Sequence, residues 1–325
     1  MEKIRIIETI EIQFQNETIE KNNKIVIFKI IIILIILLLY NIKNDIIFKL
    51  FKIKKIKVCL CVLAKRENLY IKEYVHHYKD IGYNHIFLYD NNEINGERFE
   101  DVIKDEIKSN FVTVVNLRGM IGPQKIAFVD CYRQNNKTYD WLSFFDSDEF
   151  LEIKPPAKTI QDLLSNERYN NCVTVKINFL FYSDNELLYY DPRPLKERFT
   201  TPLYKHPNNA VIKTIVRGGL PVNYWEVGFT PHTSHMNVTS CNCRGERLKP
   251  EGWYTPFKFK YAALRHYYTK STEEYLNKCT RGEVDFSPVW NEFRKKRKFN
   301  YYFTYNKRTK EKEDLIKKLF NLTTI

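Results

Sequence analysis

Glycine-rich phosphate loops are missing from this chain. Neither a P-loop nor a GxGxxG follows its first strand-like run, Lys57–Leu63 (KVCLCVL), which argues against an ATPase and against a dinucleotide-dependent oxidoreductase. Also missing, over most of the length, is any excess of charge. The net charge is +13, yet residues 58–293 carry 30 basic and 30 acidic groups, residues 1–57 carry 11 and 6, and residues 294–325 carry 11 and 3. A neutral body between basic flanks excludes a basic nucleic-acid face on the folded part, and no nucleic-acid partner is expected. The run Arg294–Lys298 (RKKRK) reads as a solvated tail ahead of a localisation signal or an anionic-lipid contact. Zinc-ribbon spacing is absent too, because Cys241 and Cys243 are too close and have no second pair. With Cys59, Cys61, Cys131, Cys172 and Cys279 they form an odd, scattered set of seven, which fits a reduced protein or three bridges and a spare thiol.

One long apolar run is present. Residues 25–42 (IVIFKIIIILIILLLYNI) are uninterrupted from Ile30 to Tyr40, with Lys29 placed near one end where its stem can snorkel. The length is close to the ~17–25 residues that span a bilayer. The run begins too far in, behind too acidic a leader, for a cleaved signal peptide. It predicts a retained single-span anchor over 25–42, an N-terminal tail over 1–24 and a basic stem over 43–57. Orientation is pulled both ways. Lys43, Lys49, Lys52, Lys54, Lys55 and Lys57 follow the span while Lys21 and Lys24 precede it, so the positive-inside rule keeps the following domain cytoplasmic. Of the sequons at Asn16, Asn136, Asn237 and Asn321, three follow the span and favour the opposite side.

After the anchor, strand-like runs recur at Lys57–Leu63, His85–Tyr89, Phe111–Val115 and Trp141–Phe145, their ends 26, 26 and 30 residues apart. Between the first two, Tyr70, Ile71, Tyr74, Val75, Tyr78 and Ile81 fall at helical spacing, with Asn68 as N-cap and Gly82 as stop. Asp101–Ile107 and Gln124–Arg133 read as helices in the other gaps. Strand alternating with helix predicts βαβ units, a mainly parallel sheet flanked by helices, and an α/β class. The domain is expected over 58–293 and a basic C-terminal tail over 294–325, helical from Lys310 to Phe320 or disordered.

The fourth run carries the chemistry. Trp141–Ile153 (WLSFFDSDEFLEI) is apolar until Asp146, Asp148 and Glu149, then resumes with Phe150 and Leu151. Side chains alternate along an extended segment, so acids at i and i+2 face one side and can share a hard cation through oxygen. Carboxylates among Phe144, Phe145, Phe150 and Leu151 would be costly to bury unless a cation met them. Ligands of α/β sheets bind at the carboxyl ends of strands, where this chain places Lys65, Arg66, Glu67 and Asn68, then Asp90, Asn91 and Asn92, then Asp146 and Asp148. Acids for a metal and a ribose, with the Asn91 amide and Lys65 for a base or phosphate, suit a nucleotide-linked donor. Lys213 and Arg217 read equally as phosphate grips or as a solvated strand edge.

Three blocks resemble glycosyltransferase family 92 and its family 2-like relatives. They are AKRENLYIKEYVHHYKDIGYNHIFLYDNN, FFDSDEFL and LRHYYTKSTEEYLNKCTRGE, in order over roughly residues 58–283. The resemblance implies a GT-A fold, a nucleotide-sugar donor, UDP-linked ahead of GDP-linked, and a divalent metal, Mn2+ or Mg2+. It implies a type II membrane protein of the Golgi or ER with a lumenal catalytic domain, acting on a glycan or glycoconjugate acceptor. By the same analogy Asp146 and Asp148 bind the metal and diphosphate, Glu67 and Asp90 contact the nucleoside, and His266 closes the metal shell or touches the diphosphate. Tyr74 stands where the family more often has Trp. An inverting transfer needs a general base, and Glu226, His232 and His235 in WEVGFTPHTSH are candidates. Trp225 and Trp253 are candidate sugar platforms. A membrane-tethered, non-catalytic glycan-binding protein on the same fold is the alternative.

Overall fold

The computed structural model describes residues 56–221, 230–232, 238–248, 255–281 and 301–320, together with residues 31, 32, 34, 35, 38 and 39. The chain divides into two compact units, Met1–Lys55 and Ile56–Ile325. In the first, the six described residues are helical and exposed. Most of the expected span lies outside the described residues, and no described helix is long and apolar enough to cross a membrane.

The second unit is α/β. In chain order it contains β1 (Val58–Ala64), α1 (Ile71–Asp80), β2 (His85–Asp90), α2 (Lys104–Lys108), β3 (Val112–Asn116), α3 (Gln124–Asn135), β4 (Trp141–Phe144) and β5 (Glu149–Ile153). There follow α4 (Ile160–Leu164), β6 (Thr174–Phe181), α5 (Leu195–Arg198), β7 (Ile212–Arg217), β8 (Ser240–Asn242), β9 (Arg247–Leu248), β10 (Ala262–His266), α6 (Thr272–Arg281) and α7 (Lys310–Phe320). The strands form one sheet ordered β3-β2-β1-β4-β7-β6-β10-β5, with β8 against β6 and β9 against β8.

The pattern of β1 explains the layering. All seven of its residues are buried, as expected of a central parallel strand. Val58, Leu60, Val62 and Ala64 join the core that holds Ile71, Tyr74, Val75 and Tyr78 of α1. Cys59, Cys61 and Leu63 face the other way, onto Ala127, Phe128, Cys131 and Tyr132 of α3. Each such aliphatic side chain contributes ~1.5–3 kcal/mol by leaving water. A disulfide joins Cys61 to Cys131 and so fastens β1 to α3, and a second joins Cys172 to Cys241. Cys59, Cys243 and Cys279 are buried thiols. Two bridges and three thiols match neither arrangement expected from the cysteine count, because spacing along a chain does not reveal which face of a sheet a cysteine occupies.

The parallel expectation holds throughout β3-β2-β1-β4, and beyond it parallel and antiparallel pairs mix. β7 runs antiparallel to both β4 and β6, β10 lies parallel to β6, and β5 is antiparallel to β10, so the sheet is mixed. The cause is local. Only Phe145–Asp148 separate β4 from β5, whereas a parallel neighbour needs a crossover of about a dozen residues, so β5 crosses to the far edge.

Other expectations are refined. Gly82 ends α1 with φ +92°, which a side chain would resist. Asn68 is not the N-cap: its amide donates to the Arg98 carbonyl, and the Glu67 carbonyl accepts the N–H groups of Tyr70 and Ile71. The Asn136 sequon is buried, its amide donating to the Tyr132 and Arg133 carbonyls, so the folded domain hides that acceptor. The segment 301–320, assigned by composition to a flanking tail, packs on the domain with Tyr302, Tyr305 and Ile316 buried. Lys312 Nζ lies 2.6 Å from the buried Asp184 carboxylate, which Tyr302 also donates to. An internal acid demands such partners, and a charge count cannot register that demand.

Candidate active site

The strand directions build the site. β1, β2, β4, β6 and β10 all end at one edge of the sheet, and the antiparallel β5 and β7 begin there. That edge therefore receives Asp146 and Asp148 after β4, Glu149 at the start of β5, Lys213 near the start of β7 and His266 at the end of β10. Register places His266 directly across from Glu149.

Asp148 Oδ1 lies 3.4 Å from His266 Nε2 and Asp148 Oδ2 lies 2.5 Å from Lys278 Nζ. Lys213 Nζ is 2.7 Å from Asp146 Oδ2 and 3.4 Å from Glu149 Oε1, while Glu149 Oε2 accepts the Asp146 N–H at 2.9 Å. The His266 ring packs against Phe179 and Phe181, with centroids 4.6 and 4.7 Å away. Burial alone would raise the Asp148 carboxyl, but Lys278 and His266 hold it well below the usual carboxylate range. Lys213 likewise outweighs burial at Asp146 and holds it low. Burial, with Asp146 and Asp148 beside it, pushes Glu149 up in spite of Lys213. Burial pushes His266 down against the pull of Asp148.

Ligand atoms of Asp148, Glu149 and His266 all lie within 4.8 Å of one another. Two of them belong to side chains with buried atoms that make no hydrogen bond, Glu149 Oε1 and His266 Nδ1. Carboxylate oxygens with one imidazole nitrogen suit Mn2+ or Mg2+, so these residues fit a divalent cation. The composition of the set differs from the sequence expectation. Asp148 and His266 belong to it, Glu149 joins them, and Asp146 is instead ion-paired to Lys213.

The residues expected to face the nucleoside are largely committed to the scaffold. Both oxygens of Asp90 are engaged, one by Arg118 at 2.7 Å and one by the Asn92 N–H at 2.8 Å. The Asn91 amide donates to the Leu117 and Met120 carbonyls. Lys65 and Arg66 pair with Glu93 at the rim, and the buried Glu67 lies 3.4 Å from Lys270 Nζ. Arg217 stacks 4.2 Å over Trp141 and donates to the Cys172 and Tyr169 carbonyls, which makes it a scaffold residue. Lys213 has no exposed side-chain surface, so it is neither a solvated edge nor open to solvent as a phosphate grip. His232 donates Nδ1–H to the Ile212 carbonyl at 2.8 Å, which leaves Nε2 as its basic nitrogen, and burial pushes its pKa down to about 4. Glu226, His235, Trp225 and Trp253 lie outside the described residues.

Known proteins sharpen this picture. The family model for glycosyltransferase family 92 matches residues 54–319. The chain belongs to glycosyltransferase family 92. Over 109 residues it is 28% identical to a family 92 protein of Oryza sativa subsp. japonica, covering 34% of this chain and 18% of that one. Over 124 residues it is 25% identical to one of Ricinus communis, covering 38% and 22%. The chain thus spans about a fifth of the length of these curated relatives. Among solved structures, the crystal structure of S. aureus TarS 1–349 shares 10% identity at a TM-score of 0.38, covering 82% of this chain and 71% of that one, too loose a likeness to carry an argument.

In this family 92 chain, sequence reasoning missed Lys278 and Arg118 and gave Glu149 no ligand role. Lys278 follows Glu274 by one helical turn within the third block, a spacing that marks it as facing inward with that acid. Arg118 follows β3 in an ordinary loop and carries no such signal.

Proposed function

We propose that this chain is a divalent-cation-dependent glycosyltransferase. It moves a hexose from a nucleotide sugar, UDP-linked ahead of GDP-linked, to a hydroxyl of a glycan or glycoconjugate with inversion at the anomeric carbon. The observation that carries the reading is the meeting of Asp148, Glu149 and His266, with two buried atoms that make no hydrogen bond, at the sheet edge where α/β folds bind ligands. Those three residues would hold Mn2+ or Mg2+, and the cation when bound supplies positive charge to the leaving diphosphate. His232 is a base candidate, since burial keeps its imidazole neutral near pH 7. Glu226 and His235 remain candidates on sequence alone.

The proposal includes a single-span, type II anchor over 25–42 in the Golgi or ER. Two disulfides support the lumenal orientation over the positive-inside count, because such bonds persist in oxidising compartments. Protease protection in sealed microsomes tests that, with digestion of the domain in intact vesicles as the contrary result.

Activity is tested on the detergent-solubilised full chain, offered UDP- and GDP-sugars with Mn2+ or with EDTA and assayed for free nucleotide. Metal-dependent release from one donor is expected. A folded chain that neither releases nucleotide nor binds any donor overturns the reading and moves the glycan-binding alternative ahead.

A further inference from the structure

The acid cluster carries its own counter-charges. Asp146, Asp148 and Glu149 face two ammonium groups, Lys213 and Lys278, and the two lysines are held very differently. Lys213 sits in the sheet with no side-chain exposure and contacts two acids, Asp146 and Glu149. Lys278 reaches in from α6, keeps 18% of its side chain exposed and, among the described residues, is ion-paired to one acid, Asp148 at 2.5 Å. Its remaining contacts are weak: the Tyr268 carbonyl at 3.3 Å and the Tyr268 ring at 4.1 Å.

Asp148 is also the carboxylate that a cation at this site needs. An ammonium and a divalent cation on one carboxylate repel strongly where the local dielectric is low, so one of them must yield. Lys213 is enclosed and cannot. Lys278, on a flexible four-carbon stem at the protein surface, can, and a displaced ammonium carries three donors suited to phosphate oxygens.

The geometry points to Lys278 as a positioning residue that occupies Asp148 in place of the cation and passes to the donor's diphosphate when the cation arrives. The inference rests on the metal-dependent reading above. It makes cation entry and diphosphate capture one exchange, in which the carboxylate loses one positive partner as it gains another.

The test uses the EDTA-stripped full chain as wild type, K278M and K278R. Mn2+ alone is titrated by electron paramagnetic resonance, and then UDP and GDP are each titrated at saturating Mn2+ by calorimetry. K278M is expected to bind Mn2+ about tenfold tighter, its competitor gone, and the nucleotide about tenfold weaker, while K278R stays near wild type. Unchanged or weaker Mn2+ binding by K278M, or undiminished nucleotide binding, overturns the proposal while leaving metal dependence intact. Absence of Mn2+ binding in both wild type and K278M overturns the metal reading and this proposal together. Should K278M melt far below wild type, K278Q keeps the length and polarity of the stem and is judged on the same two affinities.

Discussion

Two groups of acids lie on the same edge of the sheet, and their partners set them apart. Asp90 is held by Arg118, whose guanidinium also donates to the Glu93, Gly96 and Glu97 carbonyls at 2.8–2.9 Å. Both Asp90 oxygens have fixed protein partners, and the result is a shaped loop in which the Asn92 side-chain amide nitrogen is the buried atom left without a hydrogen bond. Asp148 and Glu149 have lysine ammonium groups for partners, and buried atoms Glu149 Oε1 and His266 Nδ1 make no hydrogen bond. Clustered acids are common, whereas buried polar atoms left unsatisfied call for a ligand. What separates the two groups is the kind of partner: a guanidinium tied to three carbonyls beside Asp90, and ammonium groups, one of them part-exposed, beside Asp146, Asp148 and Glu149.

That contrast can be broken by substitution. The largest effect is expected from Asp148→Asn, which should lower kcat/KM for nucleotide release by a thousandfold or more, about 4 kcal/mol, with the melting temperature nearly unchanged. Full activity in that variant would place the chemistry elsewhere. Next, Arg118→Met should cost roughly 3 kcal/mol in chemical denaturation by leaving Asp90 charged and buried without its partner. Mn2+ affinity of the folded variant should not move, and if it fell as far as in Asp148→Asn the two acid groups would be one site.

Smaller effects are expected away from both groups. Cys172→Ser removes a bridge that closes a loop of 69 residues and should cost roughly 2–4 kcal/mol, seen as a lower denaturation midpoint with the Mn2+ affinity retained. The smallest concerns His77, which donates Nε2–H to the Leu151 carbonyl and whose pKa burial lowers to about 4. The unfolded chain, with its histidine near 6.5, takes up the proton first, so this stability is present above about pH 6.5 and lost as pH falls towards 4. His77→Gln should flatten the melting curve's dependence on pH between 7 and 5 by roughly 1–2 kcal/mol, and an unchanged slope would show that His77 stays neutral in neither state.

Much of the fold was legible because its signals are local. The first four strands and the helices between them appear within three residues of their expected bounds, since β1 is apolar throughout and α1 buries one helical face. Asp148 stood out as a polar residue at the end of an apolar run, whereas His266 was reached only through the family resemblance. Asp90 and Asn91 stood out by the same rule, and there it misled, because a polar residue after a strand can be recruited by a loop such as 91–97 as readily as by a ligand. α7 forms over Lys310–Phe320, one of the two outcomes left open, and tertiary contact decided between them: Lys312 and Ile316 reach Asp184 and Leu276.

Periodicity along the chain thus determined the α/β class and the first strands and their helices, because each depends on neighbours within a few dozen residues, while three sequence blocks carried the resemblance to the family. The mixed sheet, the two disulfides, the meeting of Asp148, Glu149 and His266, and the lysines paired with these acids were decided only in three dimensions. They join residues far apart along the chain, such as Asp148 and Lys278, 130 positions apart. Such pairings are selected by burial and charge balance in the packed state, and a sequence read along its length contains no record of either.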